Sequence, residues 1–265
     1  MLNFFFRKNF YDGWDNLLVF FVPNLIIDFF VFSGAAIMFF GREYLAVWIV
    51  CSVFITCISS VAGIAWAESA LKLAEGLPFS LKDFFKTLPS CIADGLKYAA
   101  VLLALFFAAG VGGAYYFRKD ATIIGLMAGF ALCWVALIIF AALMWYPSLR
   151  AIMHNPFGKS IKKCFIILFD NLWQSFVIGI YILFLCFVSI IMIGTAPGMA
   201  GLVLARVNAL RLILKKYDYL EELDKNHVPA ASPERRKIPW DKILKNEMEA
   251  VAPRTLKTFI FPWKE

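Results

Sequence analysis

A pattern that recurs three times constrains this chain more than any other feature. A short basic, Phe-bearing segment runs into an Asp, and the Asp opens a long apolar stretch. The copies read Arg7-Lys8-Asn9-Phe10 to Asp15-Asn16, Lys82-Asp83-Phe84-Phe85-Lys86 to Asp94-Gly95, and Lys159 through Lys162-Lys163-Cys164-Phe165 to Asp170-Asn171. The three Asp residues lie 79 and 76 positions apart. Each is followed by enough apolar sequence for two helices of about 20 residues, the length needed to cross a bilayer.

The composition agrees with a lipid environment. Of 265 residues, 62% are hydrophobic and 17% charged, and the mean hydropathy is +0.74. One soluble core cannot hide that much apolar surface. Continuous apolar runs favour helices, because in hydrocarbon each backbone amide needs a partner within its own segment. The expected fold class is therefore all-α: a polytopic membrane protein with six transmembrane helices as three repeated helical hairpins, each preceded by a cytoplasmic interfacial helix. The spans fall near Leu17–Phe40, Tyr44–Ala67, Leu96–Phe117, Thr122–Tyr146, Leu172–Ile193 and Met199–Leu214. The repeats cover about 4–78, 79–156 and 157–220, within a transmembrane domain 1–220. A tail 221–265 follows, with a linker 226–239 and an amphipathic, aromatic segment 240–265 in which Ile243, Leu244, Met248 and Val251 share a helical face.

Basic residues set the orientation. Arg7, Lys8, Lys72, Lys82, Lys86, Lys97, Arg150, Lys159, Lys162, Lys163 and the tail from Lys215 lie on one side of the expected spans, against Arg42, Arg118 and Lys119 on the other. Both termini are therefore expected in the cytoplasm. The N-terminus has no cleavable-signal pattern. The net charge of +7 is concentrated at span ends and in the tail, which suits anionic lipid and not nucleic acid.

Candidate chemistry is sparse. The sequence contains no GxGxxG, GxxxxGK[ST], HExxH or GxSxG motif. His154 and His227 lie in a turn and a linker, and the six Cys form no CxxC pair and read as small apolar packers. No catalytic residue, cofactor or metal site is expected. The informative residues are polar ones inside apolar runs. Asp28 and Arg206 fall at matching depths, roughly 17 Å and 14 Å from the same side at 1.5 Å per residue. Because an unsatisfied charge in hydrocarbon is costly, they are expected to pair and join the first span to the last. Two alternatives remain open: Asp28 with Asn24 and Asn208 lines an ion or substrate path, or Arg206 snorkels while Asp28 is protonated. Asp15, Asp94 and Asp170 are expected at helix starts, where a carboxylate accepts orphan N–H bonds.

Three segments carry a resemblance: Phe6-Arg7-Lys8-Asn9-Phe10, Phe79–Phe85, and Tyr146-Pro147 leading to Lys159–Asn171. In these the chain resembles the YesL-like family of bacterial multispanning membrane proteins, a domain of unknown function associated with carbohydrate ABC transport. The resemblance implies an inner-membrane location and an accessory role beside a transporter, with an ABC permease as a possible partner. It brings no catalytic residue. A small transporter or channel using Asp28 and Arg206 is the alternative function.

Overall fold

The computed structural model describes residues 1–77, 79–118, 122–229, 232, 235 and 238–251. Among these there are helices and no strand. In chain order they are α1 (Leu2–Asp15), α2 (Leu17–Phe40), α3 (Leu45–Ala74), α4 (Leu81–Tyr116), α5 (Ile123–Leu143), α6 (Tyr146–Met153), α7 (Phe157–Asp170), α8 (Leu172–Ile191), α9 (Gly198–Lys225), α10 (Trp240–Ile243) and α11 (Lys245–Ala250). The aromatic end beyond Val251 lies outside the described residues.

Five helical segments are long and apolar enough to cross a membrane: Leu17–Phe40, Leu45–Ala74, Leu81–Tyr116, Ile123–Met153 and Leu172–Ile191. Their outer surfaces carry exposed Phe, Ile and Leu, as a lipid-facing helix does. The stretch expected as a sixth span is of a different kind. It forms the first half of α9, which α2, α3 and α8 cover on several sides. Val203, Leu204, Val207, Leu210, Leu212 and Ile213 are all buried there. A helix shielded by other helices does not need an all-apolar surface, so α9 tolerates Arg206, Asn208 and Arg211. The core forms around this helix: Trp66 of α3, Tyr98 of α4, Trp145, and Tyr146 and Leu149 of α6 are buried against it or its neighbours.

The helices pair in antiparallel hairpins with readable register. In α2 and α3 the ring of Phe20 meets Trp66 with centroids 5.7 Å apart, and a side chain at Gly34 would collide with Ile55. Likewise α8 and α9 run together from Asn171 beside Tyr217 to Ser189 beside Gly198. The α8–α9 turn does not lie beside the α2–α3 turn at Gly41. It abuts Asn24 and Asp28, about 13 residues or roughly 20 Å of helix short of Gly41. This offset overturns the depth argument that matched Asp28 to Arg206.

The segments ahead of the hairpins differ from one another. The first, α1, does not lie apart as a surface helix. Phe5 is fully buried, and the rings of Phe5 and Phe6 pack on Tyr181 of α8. The second is not separate at all, because α4 runs unbroken from Leu81 through Pro89 to Tyr116. Ser80 and Asp83 start it with a capping box. The third, α7, is a distinct amphipathic helix that buries Cys164, Ile167 and Leu168 and exposes Ile166 and Phe169. Asp94 therefore lies inside α4 and starts no helix, which corrects the expectation for that residue. Asp15 and Asp170 are the last residues of α1 and α7, and the α8 N-cap is Asn171.

At Gly95 of α4 the backbone of the neighbouring helix comes close. A Cβ there would lie 2.6 Å from Cγ2 and 2.8 Å from Cα of Val61 on α3. Backbone cannot rotate away as a flexible side chain can. Gly95→Ala is expected to force α3 and α4 apart and cost about 1–3 kcal/mol, the usual range for overpacking. A thermal unfolding scan of the purified protein that left the midpoint unchanged would contradict this packing.

Candidate functional site

The polar residues inside the apolar helices form three separate joints, and the most buried is at the α8–α9 turn. Residues Ile193–Pro197 break the helical ladder, and Gly194 and Gly198 take left-handed backbone with φ of +77° and +56°. The freed backbone groups need partners where water is scarce. Asn24, fully buried on α2, supplies three. Its Nδ2 donates to the carbonyls of Thr195 at 3.0 Å and Pro197 at 2.9 Å, and its Oδ1 accepts from Ala200 N–H at 2.8 Å. Ser189 adds a fourth by accepting from Gly198 N–H at 3.0 Å. Trp66 Nε1 donates to the Ala200 carbonyl at 2.9 Å. Thus α9, whose N-cap residue Pro197 offers no side-chain cap, is capped by Ser189 of the preceding helix and by Asn24, which lies 176 positions from Ala200.

Asp28 sits one helical turn after Asn24, on the same face of α2. Its carboxylate packs against Gly194, where any Cβ would come within 2.4 Å of both oxygens. Its Oδ2 is buried and has no hydrogen-bond partner. The expected ion pair with Arg206 is absent. Arg206 turns back along its own helix, donating from Nε to the Leu202 carbonyl at 3.1 Å. Asp28 meets the turn that precedes α9, whereas Arg206 lies two turns further along that helix. The two charges are therefore not brought together, and this corrects the sequence expectation.

A second joint ties α1 to α8 and α9. Asn208 Nδ2 donates to Asn9 Oδ1 at 3.2 Å and to Asp12 Oδ2 at 3.0 Å. Asn9 in turn donates to the Tyr181 hydroxyl at 3.0 Å, and Lys8 pairs with Asp12 at 3.0 Å. Burial pushes the Asp12 carboxyl above its ordinary range, and Lys8 and Asn208 oppose that shift. Asn24 and Asn208 thus belong to different joints and do not line one path.

The third joint links α3, α4 and α6. Arg150 Nε donates to Asp94 Oδ2 at 2.7 Å, and its Nη1 lies 3.7 Å from Glu68 and 2.9 Å from His154 Nδ1. Asp94 also lies 3.7 Å from Lys97. Neither Arg150 nor Glu68 carries a motif, and nothing local in the sequence marks them as partners of Asp94. The signal the sequence does carry is periodic: Asn24 with Asp28, and Lys8 with Asp12, are spaced four apart.

Nearer the chain's end, Asp170 accepts from the Tyr217 hydroxyl at 2.6 Å and from Lys216 at 2.9 Å. The Tyr217 hydrogen bond, followed by Lys216, holds the Asp170 carboxyl below its ordinary value. A carboxyl depressed on folding stabilises fully above its unfolded pKa of about 3.9 and stops doing so as pH falls through the folded value. The α7–α9 junction is therefore expected to hold at neutral pH and loosen below about pH 4. Asp170→Asn should flatten that acid limb in a pH series of unfolding midpoints, and an unchanged series would rule the contact out.

Burial raises the Cys164 thiol to about 12, so it is an unreactive packing group. Among the described residues, no three His, Cys, Asp or Glu side chains are grouped to hold a metal ion. No known protein family, characterised protein or solved structure matches this chain.

Proposed function

We propose that the chain is a multi-pass, non-enzymatic membrane protein that works as an accessory or regulatory subunit beside a membrane transporter. In this reading it is a YesL-like protein of a bacterial inner membrane, with six helices in three hairpins and both termini in the cytoplasm. A carbohydrate ABC permease is the partner class that the resemblance implies. The observation that supports the reading is how the polar side chains inside the apolar helices are used. Asn24, Ser189 and Asn208 spend their hydrogen bonds on the α8–α9 turn and on the side chains of α1, and Arg206 spends its own on the backbone of α9, so these polar groups serve to hold the bundle together. What then faces outward is lipid-facing apolar surface and the charged ends of α7 and α9.

Photo-crosslinking from exposed positions on α7 and on the last turns of α9, in native membranes, tests the proposal. Recovery of one membrane protein as the major adduct supports it, and adducts to lipid alone count against it. Reagents that label the Arg42 and Arg118 turns from one side and the termini from the other test the topology. A second reading, a small transporter or channel, draws on one observation: the buried Asp28 oxygen beside Gly194 has no partner. Ion or solute flux in proteoliposomes that vanishes in Asp28→Asn would favour it over the accessory role.

A further inference from the structure

A cavity of about 640 Å³ opens where the ends of α3, α6 and α7 meet α9. One part of its wall is apolar, with Ile152, Ile166, Ile167 and Leu214. The other part is charged, and those charges are not all neutralised. Arg211 and Lys215 share the Glu247 carboxylate of α11, at 3.4 Å and 2.8 Å. Lys163 has no carboxylate within ion-pair distance among the described residues, and its ammonium contacts the Met153 sulfur at 3.0 Å. Asp218, on the same wall, likewise has no cation within that distance among the described residues. One unpaired cation and one unpaired anion thus line a single cavity without bonding each other.

The cavity's position matters as much as its charges. Lys163 and Ile166 belong to α7, and from Ile166 an exposed apolar stripe continues through Phe169, Leu172, Trp173 and Phe176 onto the membrane-compatible helix α8. The charged wall therefore sits at the border where water-facing side chains give way to lipid-facing ones. A ligand that suits this border carries a negative and a positive group close together and an apolar continuation.

We propose that this cavity binds a phosphoethanolamine group, with the phosphate at Lys163 and the primary ammonium at Asp218, and that its source is phosphatidylethanolamine whose acyl chains leave along Ile166. A phosphate diester gives Lys163 the charge-assisted hydrogen bonds it lacks. A primary ammonium has three N–H donors for Asp218, whereas the quaternary ammonium of phosphatidylcholine has none. Phosphatidylglycerol has no cation for Asp218. The volume is larger than a headgroup requires and accommodates the glycerol and first methylenes.

Native mass spectrometry of the full chain, released from nanodiscs holding equal parts of the three lipids, tests this. Phosphatidylethanolamine should be retained in preference to both others. Lys163→Met and Asp218→Asn should each lower that retention about tenfold, the effect of losing one charged hydrogen bond. Lys162→Met, on the exposed side of α7, should leave it unchanged. Circular dichroism and elution volume identify any variant that fails to fold, and for such a variant titration of soluble phosphoethanolamine against phosphatidylethanolamine in the unmodified protein decides. Equal retention of the three lipids, or retention indifferent to both lining variants, overturns the site. Soluble phosphoethanolamine binding as tightly as the lipid overturns the lipid source.

Discussion

Replacing Asn24 by leucine is expected to remove about 3–9 kcal/mol of stability and most of the folded yield. The side chain is fully buried and makes three hydrogen bonds to the α8–α9 turn. Leucine fills a similar volume, so packing changes little. What it leaves behind is one N–H and two carbonyls with no water to replace the lost partner, at about 1–3 kcal/mol for each unsatisfied group. Asn24→Asp separates the parts of this cost. An aspartate still accepts from Ala200 N–H but cannot donate to Thr195 and Pro197, so it should recover only a fraction of the loss. Gly198→Ala attacks the same joint from the other side, because its φ is +56° and a Cβ would fall 2.3 Å from Asn24 Nδ2. Unfolding of the purified variants in a mild detergent, followed by near-ultraviolet circular dichroism, ranks them. If Asn24→Leu matches the unmodified protein, the turn obtains its hydrogen bonds elsewhere and the joint described above is wrong.

This joint also illustrates what the sequence could disclose and what it could not. Apolar run lengths report on the surface a helix shows to its surroundings, so five of the six expected spans are visible as long apolar helices. The sixth stretch, in α9, was legible as a helix but not as a core helix. Its few polar residues look alike whether they face lipid, water or another helix. Matching the depths of Asp28 and Arg206 requires all three hairpins to turn at one level. The α8–α9 turn is set back beside Asn24 and Asp28, and hairpin offset depends on which side chains interlock, a long-range property with no local signature. The same limit explains the three Asp residues. Their common sequence setting suggested a common role, yet Asp94 sits inside a continuous helix and bonds Arg150, while Asp170 closes α7 and bonds Tyr217. Helix α4 does start at polar residues, but Ser80 with Asp83, and not Asp94, provides its cap.

Removing the cation at position 150 should be the second most damaging single change. Arg150 holds Asp94 at 2.7 Å and Glu68 at 3.7 Å, and those two acids expose only 19% and 24% of their side chains. Arg150→Met keeps much of the apolar stem and takes away the charge, which leaves two like charges close together and poorly hydrated. Breaking a fully buried ion pair costs about 3–5 kcal/mol and an exposed one at most about 1. Their partial exposure places the expected loss at about 2–4 kcal/mol. Arg150→Lys retains the charge but loses the fork that reaches both acids, and should cost less. The decisive variant neutralises all three groups: Glu68→Gln, Asp94→Asn and Arg150→Met together. If the damage comes from stranded carboxylates, the triple variant should unfold at a higher temperature than Arg150→Met alone. If the triple variant is as unstable as the sum of its parts, the charges are not coupled, and the link between α3, α4 and α6 rests on packing around Trp145, Tyr146 and Tyr98 instead.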